Sequence, residues 1–129
     1  VVADVKDLVI SRTGLAEAQL LFHYTDWLAA SAVVSMQCMF SSRGYSHGDG
    51  IYRPVGVYAT SLPPWLGGQW THRAILFDKP RNQDVSAFVV LAKEPTWRMI
   101  VGPEHFKPAG ASGVCVPVIA LMYALNPMP

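Results

Sequence analysis

Two short stretches decide how this chain reads: Leu20-Leu21-Phe22-His23-Tyr24-Thr25, and Gly56-Val57-Tyr58-Ala59-Thr60 with its stop Ser61-Leu62-Pro63-Pro64. Each is a run of apolar and aromatic residues bounded by turn formers, the pattern of a short strand; the first is read from Ala18 to Tyr24 and the second from Val55 to Thr60. Between them Trp27, Leu28, Ala30, Ala32, Val33 and Val34 predict a helix capped by Thr25 or Asp26, packed on the sheet with its Trp buried. Ser41 to Arg53 then carries three glycines and almost no periodicity, which predicts a loop. A loop of that length inside a small domain is often functional. His23 and Tyr58, carried on separate strands, are positioned to face each other across a cleft.

Working outward, Val5, Leu8 and Val9 predict a leading helix over 4–10, stopped by Ser11-Arg12-Thr13-Gly14. A second helix is expected from Gln69 to Phe77, and a buried central strand from Val85 to Ala92, where Phe88-Val89-Val90-Leu91 runs unbroken. Trp97 to Val101 reads as a short strand, Gly102 to His105 as a turn and Lys107 to Gly113 as a loop. Val114 to Tyr123 reads as a last strand, on an edge or bulged at Pro117. The late strands lie too close together for helical crossovers. The expected fold is therefore α+β, a compact mixed and largely antiparallel sheet with short helices, in one domain over residues 1–129.

Composition narrows the function. Half of the residues are hydrophobic (51%) and only 15% are charged, so the chain buries a core and leaves apolar surface for a partner. Ten basic against nine acidic residues, with no basic run, argue against nucleic acid as a partner. No apolar stretch reaches the roughly 18 to 20 residues that span a bilayer, and Val1-Val2-Ala3-Asp4 does not read as a targeting segment. The chain starts without Met and reads as a mature or excised piece. Cys38 and Cys115 match no metal spacing, and their sequence separation leaves a disulfide and two thiols equally open.

The phosphate-binding, zinc-helix and nucleophile-elbow signatures are absent, and His23, His47, His72 and His105 are scattered, so no metal is expected. What stands out is His23-Tyr24-Thr25 followed, after a helix and a Ser/Gly-rich loop, by Gly56-Val57-Tyr58-Ala59-Thr60. From Leu20 to Pro64 the chain resembles the ADP-ribosyltransferase superfamily, in the branch with a His-Tyr-Asp/Glu signature found in many toxins. The resemblance implies that His23 hydrogen-bonds the nicotinamide-side ribose of NAD and that Tyr58 shapes the nicotinamide pocket, with Tyr24, Thr25 and Gly56 beside them. An aromatic face suits a flat ring, and an imidazole suits ribose hydroxyls.

Pro54 stands where family members often carry a second glycine. The family's third position is an acid near the start of a late strand. Glu94, just before Trp97, is the first choice as catalytic acid, with Glu104 and Asp84 as the others; each also reads as a solvated turn carboxylate. Ser41, Ser42, Arg43 and Tyr45 are candidates for the adenosine or pyrophosphate half of NAD, although Arg43 and Arg53 read equally as loop charges. Trp65, Trp70 and Trp97 read as packing rather than stacking platforms. The implied activity is cleavage of the nicotinamide–ribose bond of NAD, with ADP-ribose passing to a protein acceptor or to water. By the same resemblance it is a toxin or effector, secreted or delivered, open to an inhibitor protein. The alternative is an inactive module of the same fold that binds a protein through its apolar surface.

Overall fold

The computed structural model describes residues 2–40, 45–46, 52–76, 85–108, 115–117 and 119–124. The amino-terminal apolar spacing builds α1 (Val2–Thr13). It outruns the 4–10 expected, because the stop is Gly14 alone: its φ of 67° suits a residue without a side chain, and its N–H reaches the Ile10 carbonyl at 3.0 Å. A 3-10 turn (Glu17–Gln19) leads into β1 (Leu20–Thr25). Asp26 then caps α2 (Trp27–Met36) by accepting from the Ala29 N–H at 2.6 Å, a contact worth about 1 kcal/mol. Trp27 is not buried as expected. It is the first residue of the helix and 49% exposed, while Ala30, Val33 and Val34 form the face that meets the core.

The next strands are β2 (Cys38–Phe40), β3 (Tyr45–Ser46), β4 (Tyr52–Arg53) and β5 (Gly56–Thr60). The stretch expected to be a loop thus holds a small pairing, Tyr45 opposite Arg53 and Ser46 opposite Tyr52. A second 3-10 turn (Pro64–Leu66) and α3 (Gln69–Leu76) follow, then β6 (Ala87–Ala92), β7 (Arg98–Met99), β8 (Glu104–Pro108), β9 (Cys115–Pro117) and β10 (Ile119–Ala124). Two late expectations are corrected. Residues 104–108 form a strand, not turn and loop, because backbone pairing with β5 outweighs the flanking glycine and prolines. The single strand expected over 114–123 is two: β9 ends at Pro117 and pairs with β2, whereas β10 joins the main sheet through a register shift between Ile119 and Met122. Cys38 is held in a disulfide, and the second cysteine of the chain, Cys115, opens β9.

The architecture is α+β, with a six-stranded sheet in the order β10-β6-β1-β5-β8-β7 and every registered pair antiparallel. As expected, β6 is interior, with a strand on either side, and buried almost throughout, although it stands second from the β10 edge. Alternation sends Leu21, Val57, Ala59 and Val89 to one face, under α2, and Phe22, Tyr24, Phe88 and Val90 to the other, beside Val9 of α1. The seams are unequal. β1 is in register with β6 over all six of its residues and β5 with β8 over all five, but β1 meets β5 at Phe22↔Thr60 alone among the described residues. The sheet is two well-knit halves that part beyond one shared row.

Gly56 lets the β5–β8 half close. A Cβ there would lie 2.6 Å from the Lys107 carbonyl oxygen and 3.4 Å from the Phe106 ring, so a side chain would force two backbones apart. Gly56→Ala is therefore expected to lower the unfolding free energy by about 1–3 kcal/mol, the cost of an overpacked contact; urea denaturation of the two proteins measures it.

Candidate functional site

The parting of β1 from β5 opens a cavity of about 150 Å³ lined by Phe22, His23, Tyr24, Tyr58, Ala59, Thr60, Leu76 and Glu104. Three adjacent strands supply most of it, and α3 supplies Leu76. The row Phe22↔Thr60↔Glu104 crosses all three strands and forms the point from which the cleft widens. Glu104 takes its place from the turn before it. The Ile100 N–H reaches the Glu104 carbonyl at 2.9 Å, the Glu104 N–H reaches the Val101 carbonyl at 3.0 Å, and Gly102 takes the left-handed φ of 56° that the reversal needs.

His23 spans the parting. Its Nδ1 lies 3.2 Å from the Tyr58 carbonyl oxygen. That oxygen can only accept, so Nδ1 carries the proton and donates. The ring compensates one carbonyl for the strand partner that the split removes. Burial holds the His23 pKa below the usual histidine range, against a smaller upward pull from this hydrogen bond. The ring is then neutral near pH 7, with Nε2 left as an acceptor for a ligand hydroxyl.

Tyr58 is fixed from two sides: its hydroxyl donates to the Pro54 carbonyl, and its ring stacks on Phe106 at 5.8 Å with planes 16° apart. Tyr24 also lines the cavity, but its hydroxyl is committed elsewhere, donating to the Leu62 carbonyl at 2.6 Å. Burial raises its pKa well above the usual tyrosine value. Its ring lies 4.7 Å from that of His72, which is wholly buried with Nδ1 and Nε2 against the Gly68 and Pro63 carbonyls. Tyr24 thus ties the segment after β5 to the sheet.

The cavity takes its carboxylate from Glu104, not from Glu94. Glu94 is exposed in the turn after β6 and pairs with the Lys107 ammonium at 3.0 Å. Lys107 is three residues beyond Glu104 on β8, so its side chain leaves the opposite face of the strand. Gly56 contributes through its missing side chain, and Thr25 lies outside the cavity at the end of β1. Asp84, Ser41, Ser42 and Arg43 lie outside the described residues, as do the side chains of Tyr45, Arg53 and Trp70. Trp65 packs edge-on against Phe22 at 5.6 Å and Trp97 is buried, so both are packing residues. Among the described residues, no three His, Cys, Asp or Glu side chains converge as a metal site requires. Nor is any helix of the described residues long and apolar enough to cross a membrane.

Phe22, Ala59, Thr60 and Leu76 are lining residues that sequence reasoning did not single out. Glu104 had one readable signal: a glycine reversal between Met99 and the aromatic Phe106, the spacing of a hairpin. No family model, curated protein or solved structure matches the chain. The site therefore stands on its own geometry.

Protonation links this site to stability. His105, buried on β8, is also held below the usual histidine range, by burial first and by the charge of Lys93 second. Both folded values lie under the unfolded value of about 6.5, so below that pH the unfolded chain binds more protons. Stability is complete above about pH 6.5 and is lost as pH falls through the folded values. Thermal midpoints recorded between about pH 7 and 5 should fall for the wild type, and less steeply for His23→Asn, whose amide keeps a donor for the Tyr58 carbonyl.

Proposed function

We propose that this protein cleaves the nicotinamide–ribose bond of NAD, as an ADP-ribosyltransferase of the His-Tyr-Asp/Glu type or as an NAD glycohydrolase. The observation that carries the reading is the meeting of His23, Tyr58 and Glu104 around one cavity, from three neighbouring strands. A cavity of about 150 Å³ is the size that holds one six-membered ring, and an aromatic wall at Tyr58 suits a flat one. The rest of a dinucleotide would extend out of the cleft.

The chemistry asks for charge stabilisation and positioning. As the C1′–N1 bond breaks, its electron pair leaves with nicotinamide and positive charge develops on the ribose. The Glu104 carboxylate is the group on this wall able to stabilise that charge and to orient a ribose hydroxyl. Neutral His23 accepts a hydrogen bond from a ribose hydroxyl through Nε2, and Tyr58 holds the departing ring. An acceptor side chain or water then supplies an electron pair to C1′ and loses a proton. The disulfide at Cys38 supports an oxidising compartment, in keeping with a secreted or delivered effector.

Exposed Trp27, Leu28 and Met36 on α2 favour a second reading, a non-catalytic module that binds a protein acceptor or inhibitor there. Nicotinamide release from NAD separates the two. Turnover is expected for the wild type and for Glu94→Gln, with a fall of about 10²–10³ in kcat for Glu104→Gln, the usual loss for an electrostatic stabiliser. Absence of both turnover and saturable nicotinamide binding by calorimetry removes the enzyme.

A further inference from the structure

We infer that Phe106 is a positioning residue of this site, acting on the ligand only through the ring of Tyr58. The inference rests on the reading of the cavity as a nicotinamide pocket. Phe106 sits directly opposite Tyr58 in the β5–β8 ladder, and their rings stack at 5.8 Å with planes 16° apart. Phe106 does not line the cavity, whereas Tyr58 does. One face of the phenol is therefore covered by Phe106, and the same side chain lines the cavity.

The backbone explains how the stack arises. Gly56 is the diagonal neighbour of Phe106 on the same face of the ladder, and the position its Cβ would take is 3.4 Å from Phe106 Cδ2. The phenylalanine ring lies at van der Waals distance from the Gly56 position and meets Tyr58 nearly parallel. The hydroxyl of Tyr58, donated to the Pro54 carbonyl, anchors the far end of the ring. A tyrosine held at its hydroxyl and on one face presents a fixed wall, so a flat ligand meets a surface that needs no ordering on binding.

Phe106→Leu keeps an apolar group on β8 but removes the ring, and Phe106→Tyr keeps the ring. Two measurements test the role. The first, the NMR shifts of the Tyr58 ring protons, needs no ligand: the upfield displacement by the neighbouring ring should be present in the wild type and Phe106→Tyr and lost in Phe106→Leu. The second is the steady-state kinetics of nicotinamide release from NAD. Phe106→Leu should raise KM about two- to tenfold, the range one aromatic pair contributes, with kcat within about twofold of wild type. Phe106→Tyr should restore KM. Should Phe106→Leu not fold, Phe106→Met carries the same comparison.

Tyr58 shifts that do not respond to the loss of the Phe106 ring overturn the inference whatever the kinetics. So does an unchanged KM, or a KM that Phe106→Tyr leaves raised. A wild type with the expected Tyr58 shifts but no NAD turnover and no nicotinamide binding overturns the functional reading instead, and with it any role for Phe106 in that reaction.

Discussion

The hydrogen bond from His23 Nδ1 to the Tyr58 carbonyl is the contact on which the cavity depends. A strand edge that turns away from its neighbour leaves polar backbone groups without partners, and burying such groups costs about 1–3 kcal/mol each. In this sheet β1 and β5 share the single row Phe22↔Thr60, and His23 takes up one of the groups exposed beyond it. One side chain thereby holds the two halves in contact while keeping them apart. The same bond assigns the proton to Nδ1, so the geometry of the split also determines which nitrogen is left for a ligand.

The two halves are made rigid by different means. On the β6 side, six residues of β1 are in register with a strand of almost unbroken apolar character, and the rings of Phe22 and Tyr24 each lie about 6 Å from that of Phe88. On the β5 side, the short strands carry fewer buried residues, and closeness comes from Gly56, which admits the backbone of Lys107. Tyr24 and His72 fasten the segment after β5 through the carbonyls of Leu62, Pro63 and Gly68. Among the described residues, the contacts that shape the site walls in this way include aromatic pairs and carbonyl hydrogen bonds. The Glu94–Lys107 pair, with Glu94 exposed, contributes little beyond marking the other face of β8.

Much of the outline was readable residue by residue. β6 announced itself through its apolar run, β1 and β5 through short strand patterns bounded by turn formers, α2 through Asp26 and its helix formers, and the antiparallel character through the short spacing of the late segments. The misses share one cause. Strand β8, Glu104-His105-Phe106-Lys107-Pro108, has one apolar residue between polar ones and begins beside Gly102 and Pro103, so local propensity places it in a turn. Its strand character comes from pairing with β5, a partner more than forty residues away. With β8 read as a turn, Glu104 has no strand start to mark it, and local pattern favours Glu94 instead.

Sequence alone determined the α+β class and the buried strand over 85–92, because each of these rests on neighbours within a few positions. Only the tertiary structure decided which acid joins His23 and Tyr58, that Tyr24 spends its hydroxyl on Leu62, and that Trp27 faces outward. Those outcomes depend on register between strands distant in the chain. A shift of one residue in such a register exchanges the two faces of a strand, and short-range patterns do not encode it.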